Sequence, residues 1–362
     1  MFAETFSPSE LANSAEFDGH EQVHYFADEE SGLRAIIAIH DRSLGPAAGG
    51  CRFWPYKDRQ EALTDVLRLS KAMSFKNAMA GLPLGGGKAV IWSDRDDIDR
   101  DALFRTFGRA VESLEGAYIT AEDVGTRVAD MKTVATETKF VCGLPPEGNQ
   151  VGGDPSPTTA HGVYLGLRAA VKFALSRSDL DGVHVAVQGL GGVGYHLCQE
   201  LHRAGAKLSV ADIDPERTRQ AADEFGSTLV DPSDILGIDA DVLAPCAMGG
   251  VLNGTTIPLL RAKIVAGAAN NQLNLDQDGE RLRLRGILYA PDYVINAGGI
   301  IQVAGEYFGW SQADVNERVE TIPRSLQQIF DESGWKHQAT NIIADKLARV
   351  RLDNRNASAV AC

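Results

Sequence analysis

Long apolar runs are missing from this 362-residue chain. Nowhere do roughly 18 consecutive apolar residues occur, so no membrane-spanning helix is expected. Positive charge is scarce as well: Lys and Arg number 35 against 49 Asp and Glu, a formal net charge of −14. No Lys/Arg run builds a local basic patch. Nucleic acid and anionic membrane surfaces would be repelled and are excluded as partners. Cysteines are few, and their number is odd. Cys51, Cys142, Cys198, Cys246 and Cys362 are scattered, and neither CxxC nor a Cys/His spacing marks a metal site. Reduced thiols in a cytoplasmic protein without a bound metal are expected. The stretch from Met1 to Phe17 carries acidic side chains and no apolar core segment, which does not read as a secretory signal.

What remains is the composition of a globular protein, 44% hydrophobic and 23% charged, with length enough for two domains. Leu33–His40 is short and isoleucine-rich, as a buried strand would be. Asp58 and Glu61 read as a capping box opening a helix. Along that helix Ala62, Val66, Leu69 and Met73 form an inward stripe whose next position is Lys76. An ammonium on an apolar face needs a partner. Gly85-Gly-Gly-Lys88 reads as a triple-glycine turn running into a strand. Near one another, Lys76 and Lys88 would repel, which would lower one pKa and fit a lysine for general-base work. A helix near 101–115, a strand at Tyr118–Thr120 and a helix near 127–140 complete an N-terminal α/β unit. The Gly- and Pro-rich stretch from Gly143 to Pro157 reads as a linker.

The second half alternates strand and helix: Val183–Gln188, a helix from 192, Lys207–Asp212, a helix from Pro215, Asp241–Ala244, Lys263–Ala266 and Val294–Asn296. Such alternation implies a doubly wound parallel sheet of Rossmann type. Gly189, Gly191, Gly192, Val193 and Gly194 form a GxGxxG turn after the first of these strands and at the start of a helix. In that context the glycines permit the tight turn, the approach of a pyrophosphate and close helix packing. Asp212 ends the next strand, where a carboxylate binds ribose hydroxyls and repels a 2′-phosphate, so NAD is the expected cofactor. Asp214 is read as the cap of the helix at Pro215. The expected layout is an N-terminal substrate and oligomerisation domain over 1–150, a Rossmann domain over 151–330, and C-terminal helices over 331–362 packing back toward the first domain and ending in a frayed tail.

Seven motifs also resemble a known family. Pro46-Ala-Ala-Gly-Gly50, Met73-Ser-Phe-Lys76, Gly85-Gly-Gly-Lys88, Ile119-Thr-Ala-Glu-Asp123, Ala244-Pro-Cys-Ala247, Gly267-Ala-Ala-Asn270 and Ile295-Asn-Ala-Gly-Gly299 are similar, in order, to the leucine/phenylalanine/valine dehydrogenase group of the glutamate dehydrogenase superfamily. The resemblance implies that Lys88 activates the water attacking an imine and that Asp123, rather than its neighbour Glu122, relays protons at the substrate nitrogen. It implies that Lys76, with the Gly50 amide and Asn270, binds the substrate carboxylate, and that Thr158 and Asn296 hold the nicotinamide side of the cofactor. Ala48, Ala121, Ile300 and Val303 match positions touching the substrate R-group; all are apolar, which disfavours glutamate. Ala48 makes room for a larger R-group, while Ile300 and Val303 resemble branched-chain enzymes. The implied activity is NAD-dependent oxidative deamination of an apolar L-amino acid, leucine-like first and phenylalanine as the alternative, by a homo-oligomer whose domains close over the substrate. Two other classes stand against it. A hydroxy-acid dehydrogenase would leave the lysines unexplained, and a non-catalytic NAD-sensing protein would have no need of Lys88 and Asp123.

Overall fold

The computed structural model describes residues 1–93, 97–146, 148 and 150–359, with backbone alone from 355 on; Cys362 lies outside the described residues. The chain forms two compact units. The first comprises Met1–Gly153, Val303–Gln312 and the chain from Ala348 on; the second comprises Asp154–Gln302 and Ala313–Leu347.

Unit 1 runs β1 (Phe2–Thr5), α1 (Pro8–Leu11), β2 (Gln22–Asp28), β3 (Leu33–Asp41), β4 (Ala47–Ala48), β5 (Cys51–Phe53), α2 (Arg59–Met79), β6 (Gly85–Trp92), α3 (Arg100–Glu112), β7 (Tyr118–Ile119) and α4 (Val128–Val134). Its mixed sheet has the order β1-β2-β3-β6-β4-β7, with β5 also paired to β6. β3 reads as an unbroken apolar run because both of its faces are covered. Ile36 and Ala38 pack with Leu63, Val66 and Leu67 of α2. Ala35, Ile37 and Ile39 pack with Phe104 and Phe107 of α3 and Met131 of α4.

Two local expectations need correction here. Asp58 caps α2 by accepting from the Glu61 N–H at 2.9 Å, but Glu61 does not return the bond to Asp58. Its carboxylate accepts instead from the Lys57 N–H at 2.7 Å. The three glycines form no turn; Gly85, Gly86 and Gly87 are the first residues of β6 itself. They are required by proximity. A Cβ on Gly86 would overlap the Ser74 backbone nitrogen and hydroxyl, and one on Gly87 would come within 2.8 Å of the Tyr118 ring. The bare strand lets α2 lie directly on the sheet, and Asn77 Nδ2 donates to Gly85 O at 2.7 Å across the contact.

Unit 2 contains α5 (Ser156–Leu175), β8 (His184–Gln188), α6 (Gly192–Arg203), β9 (Lys207–Ala211), α7 (Pro215–Phe225), β10 (Thr228–Leu229), β11 (Val242–Pro245), β12 (Ile264–Val265), α8 (Gln277–Leu284), β13 (Leu288–Tyr289) and α9 (Asp292–Ile295). Then follow α10 (Gly298–Phe308), α11 (Gln312–Val319), α12 (Ile322–Lys336) and α13 (Thr340–Ala359). The strands pair in the order β10-β9-β8-β11-β12-β13, and every pairing is parallel. Counted from β8, that is the 3-2-1-4-5-6 order of a Rossmann sheet. The order reverses between β8 and β11, whose carboxyl ends meet at Gln188 and Pro245.

The strand expected at Val294–Asn296 is absent. Pro291 starts the short helix α9 there, and the Asn296 N–H closes onto Asp292 O at 2.9 Å; the last strand is β13, six residues earlier at Leu288. A boundary at 330 would cut α12, on which Ile322 and Leu326 lie against Gly162 and Gly166 of α5. Of the last two helices only the end of α13 belongs to unit 1, where Arg351 Nη1 donates to Ala78 O and Met79 O at 3.1 and 2.8 Å. The backbone remains helical to Ala359 where a frayed tail was expected. No helix of the described residues is long and apolar enough to cross a membrane. Cys51, Cys142, Cys198 and Cys246 are free thiols. Burial pushes Cys51 and Cys246 up to about 12 and the other two higher still.

Gly86→Ala should force α2 off β6. Overpacking of this kind costs about 1–3 kcal/mol, so urea denaturation should show a loss of that order. An unchanged midpoint would contradict the close approach described.

Candidate active site

Three backbone segments of unit 1 meet at distances that only glycine allows. A Cβ on Gly49 would overlap Gly87 O, and one on Gly50 would overlap Glu122 O and approach Asp123 Cβ to 2.9 Å. Gly49 N and Cys51 N donate to Ile119 O and Ala121 O at 3.1 and 2.8 Å. Tyr118, buried beneath, donates its hydroxyl to Gly49 O at 2.6 Å. The effect is to bring Lys88 of β6 and Asp123 into an ion pair, Nζ to Oδ2 at 2.5 Å.

Asp123 is held from several sides. Its backbone N–H donates to Thr126 Oγ1 at 2.8 Å, and that hydroxyl lies 3.1 Å from Cys51 O. Burial alone would raise its pKa. The Lys88 ammonium, then Arg52 and the Val124 N–H, outweigh burial and bring Asp123 down to about 2. It is therefore a carboxylate at neutral pH. Arg52 Nε stands 3.6 Å from the same Oδ2. Arg52 was not singled out from the sequence: on a three-residue strand it sits in no periodic pattern.

Lys76 is half-buried near the end of α2. α2 meets β6 at Ser74 and Gly86, so Lys76 lies two residues beyond the crossing on the helix, as Lys88 does on the strand. Met73, one turn before Lys76 on the stripe, reaches within 3.0 Å of a Cβ position on Gly49. Ala48 is buried in β4 between Gly86 and Ile119, and Ala121 is buried two residues before Asp123. Val303 is half-buried on α10 within unit 1, and Ile300 is half-buried on the part of α10 in unit 2.

In unit 2 the turn after β8 behaves as three different glycines. Gly189 has φ +95°, a conformation open to glycine. A Cβ on Gly194 would overlap Gly189 O, so the start of α6 packs tightly on the strand end. Gly191 meets nothing within 4 Å. Its missing side chain serves no contact within the protein, which leaves room for something bound. Gly192 and half-buried Val193 form the first turn of α6, whose backbone N–H groups favour an anion. Asp212 accepts from Leu190 N at 2.6 Å and Asp214 N at 2.8 Å, which fixes its carboxylate beside the turn. Asp214 caps α7 by accepting from Glu216 N at 2.9 Å.

Asn270 and Asn296 are brought together. Asn296 Nδ2 donates to Asn270 Oδ1 at 2.9 Å and to Ala268 O at 3.0 Å. Asn296 Oδ1 is buried and has no hydrogen-bond partner, the condition of an acceptor reserved for a ligand donor. Thr158, in the first turn of α5, pairs its hydroxyl with Gln302. Its backbone closely approaches Gly298 at the start of α10. Gln302 is a second residue that periodicity did not reveal.

A parallel sheet with a side-chain-free turn at its switch point, a helix N-terminus facing that turn and a carboxylate beside it defines a nucleotide-binding dehydrogenase unit. Comparison with known proteins agrees. Residues 20–140 match the Glu/Leu/Phe/Val dehydrogenase dimerisation domain. Residues 211–350 match Glutamate/Leucine/Phenylalanine/Valine dehydrogenase. The chain is 49% identical to leucine dehydrogenase of Geobacillus stearothermophilus over 344 residues, 95% of this chain and 94% of that one. It is 45% identical to phenylalanine dehydrogenase of Caldalkalibacillus thermarum over 343 residues, 93% and 92% of the two chains. The crystal structure of L-tryptophan dehydrogenase from Nostoc punctiforme superposes with a TM-score of 0.83 at 44% identity, covering 94% of this chain and 97% of that one. The chain belongs to the Glu/Leu/Phe/Val dehydrogenase family and is an amino-acid dehydrogenase.

Gly191→Ala should leave thermal stability within about 0.5 kcal/mol, as for a substitution that touches nothing, while weakening dinucleotide binding in a fluorescence titration. Undiminished binding would show that the open space has no such use. Asp123 sets a pH dependence. Its folded pKa lies below the ordinary 3.8, so its contribution to stability is fully present above that value and is lost as pH falls toward about 2. The stability gap between wild type and Asp123→Asn should be constant near neutrality and narrow below about pH 4. A gap that widens with acid would reverse the sign of this assignment.

Proposed function

We propose that the protein catalyses the reversible, NAD-linked oxidative deamination of an apolar L-amino acid to its 2-oxo acid and ammonia. Leucine and its branched-chain relatives are the first substrates, and phenylalanine is the alternative. The observation that carries this is the buried Lys88–Asp123 pair, a proton-transfer couple set where glycines have cleared the floor. The cofactor residues fit a dinucleotide. Gly189, Gly191, Gly192, Val193 and Gly194 would cradle the pyrophosphate, Asp212 the ribose, and Thr158 and Asn296 the nicotinamide side. The orphaned Asn296 Oδ1 and the empty space at Gly191 support that reading. NAD, when bound, accepts the hydride from the substrate Cα.

The chain's own groups do the rest. Lys76, with the Gly50 amide and Asn270, holds the substrate carboxylate. Among the described residues no hydrogen bond occupies the Gly50 N–H. Lys88 takes a proton from water as its oxygen adds to the imine carbon. Asp123 carries protons to and from the nitrogen as ammonia leaves. Ala48, Ala121, Ile300 and Val303 receive the R-group. None is charged, so a glutamate side-chain carboxylate would find no cation among them. The leucine and phenylalanine dehydrogenases at 49% and 45% identity support an apolar substrate. The match to a dimerisation domain over residues 20–140 supports a homo-oligomer.

Steady-state kinetics test the assignment, run with leucine, valine, isoleucine, phenylalanine and tryptophan, each with NAD and NADP. Wild type should favour NAD and a branched-chain substrate. Lys88→Ala should lower kcat by about 10²–10⁴-fold, the usual worth of a positioned proton-transfer group, and leave cofactor affinity unchanged. Lys76→Ala should chiefly raise KM for the amino acid. A Lys88→Ala enzyme of near-normal kcat would remove the proposed role.

A further inference from the structure

Asp123 has a cationic neighbour that the proposed chemistry does not use. Arg52, the middle residue of β5, places Nε 3.6 Å from Asp123 Oδ2, the oxygen that also faces Lys88. Its other end is anchored: Nη1 donates to Asp65 Oδ2 at 2.9 Å. Asp65, on α2, is fixed in turn by the Tyr56 hydroxyl at 2.6 Å and by Arg68 at 2.8 Å. The result is a row of alternating charge, Lys88, Asp123, Arg52, Asp65 and Arg68. Arg68 is 53% exposed at its outer end, while Arg52 is only 20% exposed. Burying a guanidinium is costly unless its geometry is used. Only one of its ends is used by the anchor.

We infer that Arg52 is a positioning residue for the reaction: fixed by Asp65, it aims the Asp123 carboxylate at Lys88 and supplies a positive charge that persists through turnover. The inference rests on the reading of Lys88 and Asp123 as catalytic. A lysine that takes protons from water must pass through a neutral form, and in that form it no longer balances the buried carboxylate. Arginine does not deprotonate in proteins. Asp123 therefore keeps a cation beside Oδ2 in both states of Lys88, and the carboxylate neither turns away nor takes up a proton permanently.

The test uses the full-length enzyme with the variants Arg52→Gln, Arg52→Lys, Asp65→Asn and, as reference, Asp123→Asn. Arg52→Gln should lower kcat about tenfold to a hundredfold, less than loss of a proton-transfer group itself, with KM for the cofactor unchanged. Arg52→Lys should recover part of that loss, and Asp65→Asn should show a smaller one. At neutral pH, without turnover, the carboxylate stretch of Asp123 is isolated as the infrared difference from Asp123→Asn. It should move in Arg52→Gln and return part of the way in Arg52→Lys. Wild-type kcat in folded Arg52→Gln overturns the inference. So does a fall in kcat with an unmoved band, since the arginine would then act on the fold alone. If Arg52→Gln does not fold, Asp65→Asn decides, and an unchanged kcat and band there are equally fatal. An active Asp123→Asn would instead remove the underlying reading. Inactive Asp123→Asn beside fully active Arg52→Gln removes only the role of Arg52.

Discussion

The ion pair between Lys88 and Asp123 sets the terms for the rest of unit 1. Two opposite charges at 2.5 Å in a largely buried place are tolerable only when each satisfies the other, because either alone would carry an uncompensated desolvation cost. To bring them together, strand β6 bearing Lys88, the loop after β7 bearing Asp123 and the segment around Gly50 must approach backbone to backbone. That requirement accounts for the glycines at 49, 50 and 85–87, each of which faces a carbonyl, an amide or a ring where a Cβ would sit. The packing of α2 follows as well. Ser74 and Asn77 rest on the bare strand, between them Lys76 on the same helix.

Unit 2 uses missing side chains to a different end. Gly194 is bare so that helix and strand can touch, whereas Gly191 is bare with nothing of the protein near it. The same residue type serves packing in one place and vacancy in the other, three positions apart. Asp212 links the two. By accepting from Leu190 N it ties the end of β9 to the glycine turn after β8.

Much of this was legible in the sequence where one physical constraint acts alone. β3 showed as an apolar run because both faces are buried, and α2 showed as a stripe because one face is. The GxGxxG turn showed because strand, glycines, helix and acid follow in order. What was misread had two constraints in competition. Glycine triplets usually break structure, yet Gly85–Gly87 are strand because close approach outweighs their poor strand propensity. Val294-Ile-Asn296 looks like a strand by composition, but Pro291 and Asp292 favour a helical turn there. β13 spans only two residues and the Ala- and Gly-rich α5 carries a weak period, so neither is legible; β1 and β2, four and seven residues long, were missed as well. Arg52 and Gln302 are the clearest omissions at the site. Their importance comes from what stands next to them in space, and a single sequence does not display that.

The acidity of Asp123 bears on how the proposed proton transfers divide. A general acid or base works best with a pKa near the working pH, and a carboxyl held at about 2 is far from that. In the resting pair it is a poor acceptor and cannot store a proton. Its acidity is itself conditional, because after burial the Lys88 ammonium is the largest influence on it. When that ammonium gives up its proton, the restraint weakens and Asp123 becomes a better acceptor at the moment one is needed. On the proposed roles, the ion pair that secures the resting structure also keeps Asp123 from acting early.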